Sequence, residues 1–221
     1  MTDSAIEIET SANPTASVIW LHGLGADGND FAPIVPELKL PDDIGIRFIF
    51  PNAPLQPVTC NGGYVMRSWY DIYSLDDFEK EDKDGLAQSQ HSTESLIQHE
   101  IERSINPGRI ILMGFSQGGA VALYTGLRFS QRLAGIGALS TYLPLHDDIE
   151  KEKHSANRDV PIFMAHGTRD PVVRYEFGDS SSNLLQQLGY SISWNSYPME
   201  HTVCIEEIAD ISAWILGRLS G

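Results

Sequence analysis

The sequence has few basic residues. Lysine and arginine together number 15, against 30 aspartates and glutamates, which gives a formal net charge of −15 over 221 residues. Proteins that bind nucleic acid neutralise phosphates with clustered lysines and arginines, and this sequence contains no basic run. A nucleic-acid partner is therefore excluded, and a bare anionic membrane surface is disfavoured for the same reason.

Long apolar runs and cysteines are also scarce. The longest nearly apolar stretches, such as 133–139, are far shorter than the ~18 residues of a membrane-spanning helix. Residues 1–10, MTDSAIEIET, lack the basic and apolar regions of a secretory signal. The two cysteines, Cys60 and Cys204, are too few for a disulfide framework. We expect a cytoplasmic protein with no transmembrane segment, although a mature periplasmic form stays open.

Short β-branched runs alternate with longer amphipathic stretches along the chain. This pattern predicts an α/β fold, in which helices cover a mostly parallel sheet. The length predicts one domain over residues 1–221, with 1–15 as a loose N-terminal segment or an edge strand. The predicted strands are 18–21, 46–50, 110–115, 133–139, 160–165 and 191–197, and the predicted helices are 93–105, 117–129, 179–188 and 202–218.

The stretch 76–85, DDFEKEDKDG, mixes charges densely and has no apolar stripe. Such a composition is typical of a solvated loop or a frayed helix. The alternative is a flexible lip beside a substrate groove.

The most informative motif is G-x-S-x-G at 114–118, which follows an apolar strand and precedes a helix. In this context a sharp turn exposes the serine hydroxyl at the carboxyl end of the sheet, and the glycines avoid collisions with the neighbouring chain. Ser116 is therefore the predicted nucleophile.

A serine hydroxyl needs a base to remove its proton and an acid to orient that base. In this class of fold the chain order is Ser, then Asp or Glu, then His. Asp170 lies in HGTRDP at 166–171, after a predicted strand, and His201 follows the last predicted strand. The predicted triad is Ser116, Asp170 and His201.

The other histidines and aspartates fit these roles less well. His166 ends a strand and is interpreted as a structural residue that shapes the Asp170 turn. Asp179 reads as a helix N-cap and Asp159 precedes its strand, so both are weaker candidates for the acid. The remaining candidate histidines are expected at solvated positions on the surface. They are His91, His99, His146 and His154.

An oxyanion hole needs two preplaced N–H donors. The first is predicted to be the backbone N–H of Gln117. The second is that of Leu24, in the glycine-rich turn HGLG at 22–25. Residues 23–28 also match the dinucleotide pattern G-x-G-x-x-G, but Pro33 and Pro36 interrupt the helix that this pattern requires.

No cofactor or metal is therefore expected. The segment 99–103, HEIER, approaches the helical zinc motif H-E-x-x-H, but Arg103 stands where the second histidine must be. A P-loop is absent from the sequence, because no glycine is followed by Lys and then Ser or Thr.

With these residues assembled, the chain resembles the phospholipase/carboxylesterase family of small α/β-hydrolases, which includes acyl-protein thioesterases and bacterial carboxylesterases. The matching blocks, in order, are LHGLGADGNDF at 21–31, FPNAPLQPVTCNGGYVMRSWYDI at 50–72, GFSQGGAVAL at 114–123, HGTRDPVV at 166–173 and YPMEHTVCIEEI at 197–208.

The resemblance implies the same triad and oxyanion donors. It also implies that Met66, Ser68 and Trp69 lie beside an acyl groove, with Trp69 near the catalytic centre. An ordinary core position for Trp69 is an equal alternative on sequence grounds. The family allows homodimers, and no insertion in the chain is large enough to form a cap domain.

These features predict a serine hydrolase that cleaves carboxylic esters or thioesters through an acyl-enzyme, with a lipidated protein among the candidate substrates. One alternative is an acyltransferase that uses the same acyl-enzyme. Another is a binding protein with a hydrolase fold and no turnover, which would be expected to have a broken triad.

Overall fold

The computed structural model describes residues 5–41, 44–74 and 80–220. Its strands, within these ranges, are β1 (Ile6–Glu9), β2 (Ala16–Leu21), β3 (Ile46–Phe50), β4 (Leu55–Val58), β5 (Tyr64–Arg67), β6 (Ile110–Phe115), β7 (Gly135–Leu139), β8 (Ile162–Gly167) and β9 (Ile192–Tyr197). Seven of them form the central sheet, in the order β1-β3-β2-β6-β7-β8-β9. Only β1 in this sheet runs antiparallel to its neighbour, so the carboxyl ends of the other six strands share one edge.

Helices cover both faces of the sheet. They are α1 (Ile34–Glu37), α2 (Lys83–Glu102), α3 (Gln117–Arg128), α4 (Ile149–Glu152), α5 (Tyr175–Gln187) and α6 (Ile205–Leu219). Alternate residues of β6 enter the two cores: Leu112 packs on the side of α2, α3 and α5, and Met113 packs on the side of α1 and α6. Both faces of the inner strands are therefore buried, which explains their continuous apolar sequences.

The α/β prediction is confirmed. The segments 46–50 and 110–115 coincide with β3 and β6, and the other four predicted strands differ from the observed ones by at most two residues at either end. Residues 6–9 form the edge strand β1, paired with β3. None of the helices within the described ranges has the length and apolar character needed to cross a bilayer.

Two elements differ from the sequence predictions. The hairpin of β4 and β5 was not predicted, and α2 begins at Lys83 instead of residue 93. The buried face of α2 includes Ser89, Thr93 and Glu100, so the apolar period that marks a helix is weak. Of the predicted charged loop 76–85, residues 83–85 lie in the first turn of this helix, and 76–79 lie outside the described residues.

The predicted starts of the last two long helices were also wrong. Helix α5 begins at Tyr175, so Asp179 lies inside it and is not its N-cap. Helix α6 begins at Ile205, which was expected in the apolar stripe but is 82% exposed. Two positions later, Glu207 is fully buried. The helix is therefore rotated so that a carboxyl group, and not Ile205, faces the core.

This buried carboxyl predicts a pH-dependent loss of stability. Burial raises the pKa of Glu207 to about 8, and the charge of Asp210 adds to this effect. Because the folded pKa is raised, the contribution to stability is complete below the unfolded pKa of about 4.3 and is lost as pH rises toward 8, at ~1.4 kcal/mol per pH unit. We expect Glu207→Gln to melt several degrees above the wild type at pH 8 and close to it at pH 4.5.

Thermal melts at both pH values measure this difference. The matched control is Glu206→Gln, in the same helical turn, where the carboxyl has a lowered pKa and is exposed. If the difference in melting temperature between Glu207→Gln and the wild type were the same at both pH values, the raised pKa of Glu207 would not explain it.

Candidate active site

Ser116 occupies a sharp turn between β6 and α3. Its backbone angles are φ 53° and ψ −121°, a conformation in which a residue with a side chain is strained. The turn is closed by contacts that only glycine permits: a Cβ on Gly114 would lie 2.2 Å from the carbonyl carbon of Gly118, and one on Gly118 would lie 2.3 Å from the Leu21 oxygen. The G-x-S-x-G pattern therefore reflects packing on both sides of the serine.

Asp170 and His201 meet at the same edge of the sheet. Asp170 follows β8 and His201 follows β9, and their Oδ2 and Nδ1 atoms are 2.6 Å apart. The other carboxylate oxygen of Asp170 accepts the backbone N–H groups of Val172 (2.8 Å) and Val173 (2.9 Å). The loop after β8 thus fixes one oxygen and points the other at the imidazole.

The environment keeps Asp170 ionised. Burial alone would raise its pKa, but hydrogen bonds with His166 and His201, together with the charge of His201, hold the pKa well below its usual range. The ring of Phe115 packs against His201 with 4.7 Å between centroids. The imidazole is therefore held by a charged partner at one nitrogen and by the residue before Ser116 on its face.

His166 lies beneath this pair. It is fully buried, with Nε2 2.8 Å from the carbonyl oxygen of Val173 and 3.5 Å from Oδ2 of Asp170. These contacts agree with its interpretation as a residue that shapes the Asp170 turn. His201 is the histidine that lines the cavity containing Ser116.

The loop after β2 presents Leu24 beside Ser116. The backbone N–H groups of Leu24 and Gln117 have no acceptor among the described residues, and both residues line the same cavity. The loop is held by the Gly25 N–H, which donates to the Arg67 oxygen (2.8 Å) in β5. Two residues whose backbone N–H groups have no acceptor among the described residues therefore line the cavity that contains Ser116.

His22 and Trp69 support this loop from behind. The indole Nε1–H of Trp69 donates to the His22 carbonyl (2.9 Å). His22 accepts the Ala53 N–H at Nε2 (3.0 Å), so its Nδ1 carries the proton toward the Gly23 oxygen (2.7 Å). Burial lowers the pKa of His22, which favours this neutral form. The glycine-rich turn is thus shaped by side chains, and the helix that follows it, α1, has only four residues.

The cavity in front of Ser116 has a volume of about 210 Å³. The three residues implied by the family resemblance are not among those that line it. Ser68 is fully buried and Trp69 is 4% exposed; the Gln117 side chain accepts the Trp69 N–H (2.9 Å) and donates to Ser68 Oγ (2.9 Å). Met66 lies in β5, close to Gly25. Ser68 and Trp69 therefore lie behind the cavity wall at Gln117, whereas Met66 lies beside the loop that carries Leu24.

The walls themselves were not identified from the sequence. They include Tyr70, Ile72, Tyr142, Val172 and Val173. The first three follow the carboxyl end of a strand by three to five residues, and the two valines follow Asp170 by two and three residues. That position is the only sequence signal for them, and it would have selected many other residues as well.

The fold and the position of the site are those of an α/β-hydrolase. The family model for phospholipases and carboxylesterases matches residues 2–217. The chain is 41% identical to acyl-protein thioesterase 1 of Neurospora crassa, covering 94% of this chain and 89% of that protein. It is 39% identical to acyl-protein thioesterase 1 of Yarrowia lipolytica, with 96% and 95% covered.

Solved structures agree. Arabidopsis thaliana SOBER1 superposes with a TM-score of 0.87 at 32% identity, covering 92% of this chain and 99% of that one. Zea mays acyl-protein thioesterase 2 superposes with a TM-score of 0.86 at 26% identity, with 97% and 98% covered. The chain therefore belongs to the phospholipase/carboxylesterase family. It is a serine hydrolase of the esterase and thioesterase kind, and the resemblance seen in the sequence is confirmed.

Proposed function

We propose that Ser116, Asp170 and His201 form the catalytic triad, and that the backbone N–H groups of Leu24 and Gln117 form the oxyanion hole. The observation that carries this proposal is the Asp170–His201 hydrogen bond of 2.6 Å, in a cavity that also contains Ser116 and two unpaired N–H donors. The arrangement supplies a nucleophile, an oriented base and preplaced donors.

The reaction begins when Ser116 attacks the carbonyl carbon of the substrate and His201 Nε2 takes the hydroxyl proton. The oxyanion accepts hydrogen bonds from the Leu24 and Gln117 amides. Collapse of the intermediate expels the alcohol or thiol, which receives the proton from His201, and leaves an acyl-enzyme on Ser116. Water then attacks with His201 again as base, which releases the carboxylic acid and restores the serine.

Acyl esters and thioesters are the proposed substrate class, with acylated proteins among them. Ile72, Val172 and Val173 give the cavity an apolar wall suited to a hydrocarbon chain. The names of the thioesterase relatives support protein substrates. We further propose one domain over residues 1–221 that acts in the cytoplasm without a cap domain, with homodimers allowed by the family.

Labelling with a fluorophosphonate tests the proposal. The reagent reacts with an activated serine, so the native protein is expected to be labelled stoichiometrically at Ser116 and to lose its hydrolysis of a short ester and of an acyl thioester in parallel. Peptide mass spectrometry locates the label. Absence of labelling in a protein that folds normally, or a label on another serine, would overturn the proposal.

A further inference from the structure

Two buried tyrosines meet in the wall of the cavity. Tyr70 follows β5 and Tyr142 follows β7, and both line the cavity that contains Ser116. Tyr70 is 1% exposed and Tyr142 is 7% exposed, and their hydroxyl oxygens are 2.9 Å apart. A hydrogen bond between two separate loops therefore closes this part of the wall.

The position of each tyrosine is fixed relative to the predicted nucleophile. Gln117 is the residue after Ser116, and its side chain donates to the Tyr70 carbonyl oxygen (2.7 Å). The Ser116 N–H donates to the Leu139 oxygen (2.8 Å), and Tyr142 follows three residues later. The wall is thus tied to both sides of the serine, and its distance from the reacting carbonyl is set by the fold.

Glu81 holds the loop that carries Tyr142. Its Oε2 accepts the Leu145 N–H (2.7 Å), three residues after the tyrosine. Turning either ring aside would leave a buried polar group unpaired, which is costly.

We propose that the cavity containing Ser116 receives the acyl chain of the substrate, and that the Tyr70–Tyr142 pair blocks this acyl pocket. The blockage is the stop that restricts the enzyme to short acyl chains. The inference rests on the proposed function, since it requires an acyl group attached at Ser116. Each methylene that enters the pocket raises kcat/KM by about fourfold, because its apolar surface leaves water. Methylenes beyond the tyrosines gain nothing, because the rings occupy the space that they would enter.

A series of p-nitrophenyl esters with linear acyl chains tests this stop. For the wild type we expect kcat/KM to rise with chain length and then to level off or fall. Tyr142→Ala removes the ring, so the turning point should move to longer chains by two or more carbons, and the ratio of long-chain to short-chain kcat/KM should rise about tenfold or more. Tyr142→Phe keeps the ring volume but breaks the hydroxyl contact with Tyr70, so kcat/KM can change at every chain length while the turning point stays at the wild-type chain length.

Several results would overturn the inference. One is a wild-type kcat/KM that still rises at the longest chains; another is an unchanged profile in Tyr142→Ala, or in Tyr142→Val if the alanine variant does not fold. A shift in Tyr142→Phe as large as that in Tyr142→Ala would show that ring volume is not the stop. If the wild type is active and Tyr142→Ala has the same chain-length profile, only this inference is wrong. If the folded wild type hydrolyses no ester, the proposed function is wrong as well.

Discussion

Ser116→Ala is expected to lower kcat/KM for a short ester by ~10⁴-fold to 10⁶-fold. In the proposed mechanism alanine removes the oxygen that attacks the carbonyl, while the Leu24 and Gln117 amides remain, so the residual rate would reflect oxyanion stabilisation alone. The variant should fold as the wild type does, because serine and alanine carry the same Cβ into the strained turn. Steady-state kinetics and a thermal melt measure both effects.

Ser104→Ala is the matched control. Ser104 also has a positive φ, of 72°, but it is exposed and lies after the C-terminus of α2. Its replacement should change kcat/KM by less than about twofold. A Ser116→Ala protein that retained more than a hundredth of the wild-type rate would exclude this residue as the nucleophile.

Asp170→Asn is expected to lower kcat by roughly 10³-fold to 10⁴-fold with little change in KM. The backbone N–H groups of Val172 and Val173 both donate to Oδ1. The asparagine amide must therefore turn its oxygen toward them and its NH₂ group toward His201. Nδ1 of His201 then becomes an acceptor, its proton moves to Nε2, and the ring can no longer take the proton of Ser116.

The control for the charge change is Asp179→Asn in α5, a half-buried position where the carboxylate bonds only Asn183 Nδ2 among the described residues. It should retain wild-type kcat. If Asp170→Asn instead raised KM and left kcat intact, Asp170 would be a binding residue and the proton-transfer role would be wrong.

The sequence was most informative where local backbone geometry restricts residue type. The turn at Ser116 requires small neighbours because Gly114 and Gly118 contact backbone atoms directly, so the motif is visible in five residues. Asp170 and His201 could be predicted because the chain order of the fold places them after β8 and β9. Their mutual distance and the role of the Asp170 turn needed the structure.

Other features depend on contacts between distant segments. The hairpin of β4 and β5 contains Pro57 and exposed Leu55, Tyr64 and Val65, a composition that does not mark a buried strand. Helix α2 carries buried Glu100, which is paired with Arg47 in β3 at 2.7 Å, so a charged residue stands where the apolar period predicts a hydrophobic one. No local pattern records a partner 53 residues away.

The backbone of Ser116 has a consequence for how such a protein evolves. At φ 53° and ψ −121°, glycine would be the least strained residue. A chain selected only for folding would therefore drift toward glycine at this position and lose the hydroxyl. A serine there lowers the free energy of unfolding of the whole domain. A less stable domain tolerates fewer destabilising mutations at other positions. If Ser116 is the nucleophile as proposed, a Ser116→Gly chain is inactive but is expected to tolerate more mutations elsewhere than the chain with serine does.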